Sequence, residues 1–316
     1  TAKKYQLTFI AGVTMKVDDI NFKFFHINKW DNGEFKGDAI STTSELVKIS
    51  SDGNLGLEEG QKFERGGIYR FTVDVTKGNT KAVLTVEKVG KVDLPAPDIF
   101  FGNDKMEVTD TDIYKSEQVF TQGQMITVTG IDNLNEWWID PDFFEKQSDG
   151  ALKFLPINGD YRVTANAVLK YFSVMALKDG KPAKLQDDGT GAIWAIGKGI
   201  GKPSVASSEV GWEPGKALCL AQVAPKKYQL TLKAGETLKT SGDPEVISFK
   251  FFHQNDWGGE FGNYANSILV EQLKLADSGN LEMQDNKAFE EGAVYRFTID
   301  VTNGNANADL KVEKIN

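Results

Sequence analysis

Cysteine, histidine, helical periodicity and long apolar runs are what this chain of 316 residues has least of, and each scarcity narrows its chemistry. Cys219 is the sole cysteine, so neither a disulfide framework nor a cysteine-based metal site can form within the chain. Its neighbours in Ala217-Leu218-Cys219-Leu220 predict a small buried hydrophobe rather than a nucleophile. With His26 and His253 alone, a histidine-rich metal centre or an imidazole acid and base pair has little to draw on. No apolar run is long enough to cross a bilayer as a helix. The start, Thr1-Ala2-Lys3-Lys4, has no charged-then-apolar leader, which is compatible with a cytosolic origin or with a removed export signal. A basic stripe is lacking as well: the net charge of -9 repels a phosphate backbone, so nucleic acid is not expected as a partner. The loop acids Asp140, Asp142, Asp187 and Asp188 do not follow the spacing of a twelve-residue calcium loop, and no catalytic or metal-binding role is assigned to them. The expectation is a protein without enzymatic activity and without a cofactor.

What the sequence does contain is repetition. Lys3-Lys4-Tyr5-Gln6-Leu7-Thr8 returns as Lys226-Lys227-Tyr228-Gln229-Leu230-Thr231, and Phe22-Lys23-Phe24-Phe25-His26 as Phe249-Lys250-Phe251-Phe252-His253. Trp30 then matches Trp257, and Gly33-Glu34-Phe35 matches Gly259-Glu260-Phe261. Tyr69-Arg70-Phe71-Thr72 matches Tyr295-Arg296-Phe297-Thr298, and both copies close on Leu-x-Val-Glu-Lys, at Leu84 and Leu310. Within a copy the apolar residues alternate with polar ones: Tyr228, Leu230 and Leu232 against Gln229, Thr231 and Lys233. A period of two belongs to a strand with one buried face. Thr302-Asn303-Gly304-Asn305 supplies a turn between two such runs. The fold class expected is all-β: tandem immunoglobulin-like or carbohydrate-binding-module-like β-sandwich domains.

A chain of this length suits two or three such domains of roughly 90 to 130 residues. The first module is placed at residues 1–91. A divergent second domain is placed at 92–180, where Gly159-Asp160-Tyr161-Arg162-Val163-Thr164 echoes the Tyr-Arg hairpin and Val92-Asp93-Leu94-Pro95-Ala96-Pro97 reads as a stiffened linker. The third, at 181–316, is the complete copy. Residues 190–225 have no counterpart before the first repeat, so the first module is expected to lack opening strands, as in an N-terminally truncated chain, and to present an unpaired sheet edge.

Taken in order, Gly211-Trp212-Glu213-Pro214, Leu232-Lys233-Ala234-Gly235-Glu236, Phe249-Lys250-Phe251 and Trp257-Gly258-Gly259-Glu260-Phe261-Gly262 resemble the starch-binding modules of SusE/SusF-type surface lipoproteins of Bacteroidetes. The likeness covers residues 190–316 best, 1–90 partially, and the middle only in its hairpin. It implies tandem immunoglobulin-like domains and non-catalytic capture of a poly- or oligosaccharide, with glucan foremost. It further implies an outer-membrane lipoprotein facing the cell exterior, and other outer-membrane glycan-uptake proteins as partners.

Sugars present apolar C–H faces and hydroxyl rims, so a site for them combines an exposed aromatic ring with directed hydrogen-bonding groups. Trp257, flanked by Asn255-Asp256 and Gly258-Gly259, falls in a loop just after a strand, and Asn255 adds an amide beside it. Trp30 is its counterpart in the first copy. Trp212 matches the Gly-Trp element of the resemblance. Alternation puts Lys250 and Phe252 on the face opposite Phe249 and Phe251, and Lys23 repeats Lys250 in the first copy. In Trp137-Trp138 one ring should pack inward and the other, taken as Trp138, should face solvent. Core packing is the competing reading for every one of these tryptophans, and with it a structural or adhesive surface protein that has no sugar site.

Overall fold

The computed structural model describes residues 3–17, 20–28, 33–94, 97–110, 112–131, 133–240 and 247–316. The chain forms two compact units, Thr1–Ala96 and Pro97–Asn316, each built almost wholly from β-strands.

In the first unit the strands are β1 (Lys4–Ile10), β2 (Ile40–Thr42), β3 (Val47–Ile49), β4 (Leu55–Leu57), β5 (Gly67–Asp74) and β6 (Ala82–Lys91). One sheet has the order β1-β5-β6-β2, with β2 parallel to β6, and β3 pairs with β4. Strict alternation in β5 buries Gly67, Tyr69, Phe71 and Val73 and turns Arg70 and Thr72 outward. Phe71 is the centre of the core, its ring centroid 5.5 Å from that of Phe9 and 5.8 Å from that of Phe22.

The second unit holds a middle module and a last module. The middle one comprises β7 (Phe100–Phe101), β8 (Asp104–Lys105), β9 (Glu107–Asp110), β10 (Ile113–Phe120), β11 (Met125–Ile126), β12 (Val128–Thr129), β13 (Phe144–Lys146), β14 (Leu152–Phe154), β15 (Gly159–Asn166), β16 (Tyr171–Lys178) and β17 (Lys181–Pro182). Its main sheet runs β17-β16-β15-β10-β9, faced by the small sheets β11-β14-β13 and β12-β7-β8. Phenylalanines fill the layer between them: Phe120 lies 4.9 Å from Phe154, and Phe101 5.2 Å from Phe172.

The last module comprises β18 (Trp194–Gly201), β19 (Glu209–Gly211), β20 (Leu218–Cys219), β21 (Ala221–Ala224), β22 (Lys227–Lys233), β23 (Ser248–Phe252), β24 (Asn266–Ile268), β25 (Leu273–Leu275), β26 (Leu281–Met283), β27 (Val294–Asp300) and β28 (Asp309–Lys314). One sheet runs β19-β18-β23-β26-β25 with β20 attached to β18, and the other β21-β22-β27-β28-β24. They face each other as a sandwich, with Phe249 of one sheet 5.5 Å from Phe297 of the other. The internal duplication extends to register: Lys4 pairs with Asp74 as Lys227 pairs with Asp300, with ion pairs of 3.0 and 3.1 Å.

A single apolar core runs through both modules of the second unit, from Ile99 to Val312. At their junction sits a buried ionic cluster. Lys202 Nζ donates to both oxygens of Asp140 at 2.8 Å and to Asp142 at 3.0 Å. Asp142 also accepts from Gln229 Nε2 at 2.7 Å and from the Thr231 backbone N–H at 2.6 Å. Burial pushes the Asp140 carboxyl above its usual range. Burial acts on Asp142 in the same sense, yet Lys202 and the hydrogen bonds from Thr231 and Gln229 outweigh it and hold that carboxyl below the usual range. For Lys202, burial favours the neutral amine but the two carboxylates overcome it and keep the ammonium charged. The two loop acids that look unremarkable in sequence are thus structural anchors between modules.

Candidate functional site

The loop after β23 begins at His253, whose N–H donates to Gly259 at 2.7 Å and whose carbonyl accepts from Leu185 N–H of the linking segment at 2.8 Å. Gly258 and Gly259 take φ of +82° and +72°, a left-handed pair that lets the chain reverse within a few residues. Gln254 Nε2 donates to the Trp257 carbonyl at 2.6 Å, and the Trp257 N–H donates to Asp256 at 2.8 Å. These bonds fix the backbone that carries the indole.

The Trp257 ring is 49% exposed, the only tryptophan among the large exposed apolar side chains of the described residues. Beneath it lies Phe252, edge-on at 6.0 Å and 73°, and beside it Trp212, nearly parallel at 6.3 Å and 25°. A sugar sandwiched between two rings requires roughly 7–8 Å between them, twice an ordinary carbon–carbon contact. The indoles therefore form a paired surface, and the outer face and edge of Trp257 are what a ligand can meet. Trp212 is half-buried and follows Gly211, whose φ of +57° ends β19. Since Gly211 pairs with Gly197 and Lys250 pairs with Ile196, Trp212 leaves the sheet beside the row that ends in Lys250. Trp212, Lys250 and Trp257 are in this way gathered on one side of the β19-β18-β23 sheet.

The remaining candidates are placed differently. Asn255 is half-buried and its Oδ1 is shielded from solvent with no donor among the described residues. Phe252 does share a face with Lys250, but it is 1% exposed, because Trp257 lies over it and Trp194 is its register partner. His253 packs edge-on against Phe261 at 4.2 Å, and burial lowers the pKa of its imidazole. In the first unit the loop root is repeated, with His26 N–H donating to Gly33 at 2.8 Å and Phe35 N–H to Phe24 at 3.1 Å. Trp30 lies outside the described residues. Lys23 spends its ammonium on the Asp52 carbonyl at 3.0 Å.

Trp138 corrects the expectation of an outward ring. Its partner Trp137 is buried and stacks on Phe172 at 4.6 Å and 21°. Trp138, however, turns toward the last module, where its Nε1–H donates to Glu236 at 3.0 Å and Lys202 Nζ lies 5.9 Å from its ring. The pair follows the short 3-10 turn Leu134–Glu136 and lies outside any strand, so strand alternation does not govern it, and Trp138 is left half-buried against the last module.

Chemically the site offers an aromatic ledge with one lysine nearby. Among the described residues no group of three or more His, Cys, Asp or Glu side chains is arranged to hold a metal ion. Cys219 is buried, and burial pushes its thiol up to about 12.

A comparison with curated proteins gives no match. A model described as domain of unknown function DUF5125 matches residues 92–185, covering the middle module. The model described as domain of unknown function DUF5121 matches residues 1–76 and 188–302, so it finds the same duplication and spans more than half of the chain, which belongs to that family.

Proposed function

We propose that the last module captures a glycan without acting on it, by letting a sugar ring lie against Trp257 while Lys250 and loop polar groups meet its hydroxyls. The reading is supported above all by Trp257 itself. A large apolar ring left half in water costs solvation free energy, on the order of 1 kcal/mol or more for its exposed apolar area. Here the loop hydrogen bonds, the Phe252 floor and the neighbouring Trp212 fix the ring in that position. Rigid exposed aromatics bind at low entropic cost, because little side-chain freedom remains to be lost. The resemblance to SusE/SusF-type modules points in the same direction, toward glucan, a cell-surface location on the outer membrane, and glycan-uptake proteins as neighbours.

Affinity electrophoresis in gels containing a glucan, a mannan, a xylan or a fructan tests the proposal. Retardation is expected in at least the glucan gel and should be lost in Trp257→Ala. Unchanged mobility of the native chain in all four gels would sink it. The alternative, a structural or adhesive protein, draws on the buried Lys202, Asp140 and Asp142 cluster, which makes the two modules of the second unit a stiff spacer. It predicts that Trp257→Ala changes stability and no mobility.

A further inference from the structure

The two modules of the second unit do not close completely over one another. Burial alternates along β16: Phe172 and Val174 turn into the core of the middle module, while Tyr171, Ser173 and Met175 turn outward and line a cavity shared with the last module. On the far side, Cys219 of β20 and Phe252 of β23 are both register partners of Trp194 on β18. Residues directly opposite one another in antiparallel strands share a face. Cys219, Trp194 and Phe252 are therefore one row across the outer face of the sheet.

The cavity holds about 180 Å³, room for about six waters by their share of the liquid volume. That suits one monosaccharide ring and not two. Its back is closed by Trp138, Asp140 and Lys202, whose polar groups are spent on Glu236 and on each other. At its mouth stand Gly215 and Lys216, exposed in the 3-10 turn Pro214–Lys216, with Lys216 paired to Glu213 at 2.9 Å. Every charge in the lining is thus matched, which favours a neutral occupant. Two hydroxyls are uncommitted: among the described residues neither the Tyr171 nor the Ser173 side chain has a hydrogen-bond partner. Burial pushes the pKa of the Tyr171 phenol up, so it stays a neutral donor.

This cavity adjoins the aromatic ledge. Trp212, stacked on Trp257, is followed directly by Glu213 and by the turn at the mouth. Phe252, the floor under Trp257, is one strand spacing, about 5 Å, from Trp194 at the cavity.

We propose that the cavity takes a single terminal sugar ring of the glycan laid against Trp257. The Tyr171 and Ser173 hydroxyls meet the ring's hydroxyls, and Met175 and Leu218 meet its C–H face. An internal ring of a polymer cannot enter, because the back is closed. The protein then reads chain ends and single-ring branches, while the ledge accepts any ring. This inference rests on the glycan reading above and narrows it.

Saturation-transfer NMR on the full chain tests it, with the monosaccharide and a hexasaccharide prepared from whichever polysaccharide retards the protein. Both sugars should receive transfer from the native chain. Gly215→Phe adds a ring at the mouth, where a Cβ meets nothing within 4 Å and the backbone is not left-handed. It should lower the monosaccharide signal by about tenfold or more at an unchanged thermal midpoint. Ser173→Phe fills the cavity from its wall and should do the same. Trp257→Ala should weaken the hexasaccharide signal and leave that of the monosaccharide. A retarded chain that transfers to the hexasaccharide and not to the monosaccharide overturns the inference and leaves the ledge standing. So does a monosaccharide signal that survives both cavity substitutions or is lost in Trp257→Ala. A native chain retarded in no gel sinks the glycan reading and this inference with it.

Discussion

Asp140 and Lys202, 62 positions apart in sequence, meet with both carboxylate oxygens 2.8 Å from one ammonium, and each side chain is less than a tenth exposed. Asp142 completes the cluster with a second carboxyl on the same ammonium. Lys202→Met would strand two buried carboxylates and should cost about 3–5 kcal/mol of stability. Asp140→Asn leaves a one-to-one pair of Lys202 and Asp142 and keeps an oxygen for the Asp142 N–H, so its loss should be less than half as large. Urea titrations followed by circular dichroism compare the two, and equal losses would count against this assignment of charges.

Trp257 and Phe252 should separate binding from folding. Trp257→Ala is expected to weaken glycan binding about tenfold or more, roughly 1.4 kcal/mol, with a smaller loss of stability than Phe252→Ala. Phe252→Ala removes a buried ring and should cost about 3–5 kcal/mol. Isothermal titration with the retarding glycan, alongside thermal melts, reads both effects.

Trp138→Phe keeps an aromatic ring near Lys202 but removes the hydrogen bond to Glu236. A stability loss of about 1 kcal/mol is expected, with electrophoretic retardation by glycan unaltered. Weaker retardation would return Trp138 to the list of ligand contacts.

Cys219 should resist alkylation at pH 8 in the folded protein, since its thiol is buried with a pKa pushed to about 12 by that burial. It should react freely in denaturant. Its labelling rate is therefore a reporter for opening of the second unit, and rapid modification under native conditions would contradict the burial described.

In the first unit, Glu64 is held down to about 2 by hydrogen bonds from Lys88 and Lys91. A carboxyl whose folded pKa is depressed stabilises the fold above its unfolded value, about 4.5, and that contribution fades as pH falls toward 2. The pair is exposed, so the effect is small and weakens with salt. Carbon-detected NMR titration of the Glu64 carboxyl gives the direct check, and Glu64→Gln should flatten this part of the acid limb.

Period-two patterning in Tyr228 to Lys233 predicts a strand, because it depends on neighbours in sequence. The burial of Cys219 is likewise readable from its apolar flanks. The ionic cluster is not, for nothing around Asp140 or Asp142 signals that a lysine some sixty residues on will reach them. The same limit explains Phe252: alternation assigns a face, while tertiary packing decides whether that face meets water. Trp212 and Trp257 are legible as loop tryptophans next to glycine, but their mutual stacking arises only when β19, β18 and β23 align.

The Leu185 N–H that binds the His253 carbonyl has a mechanical meaning. It ties the root of the Trp257 loop to the segment leaving the middle module, just past β17. The loop is thus clamped from two directions, by its own strand and by the neighbouring module. Its stiffness belongs to the pair, and a last module separated from residues 97–187 would carry the same tryptophan on a looser hinge.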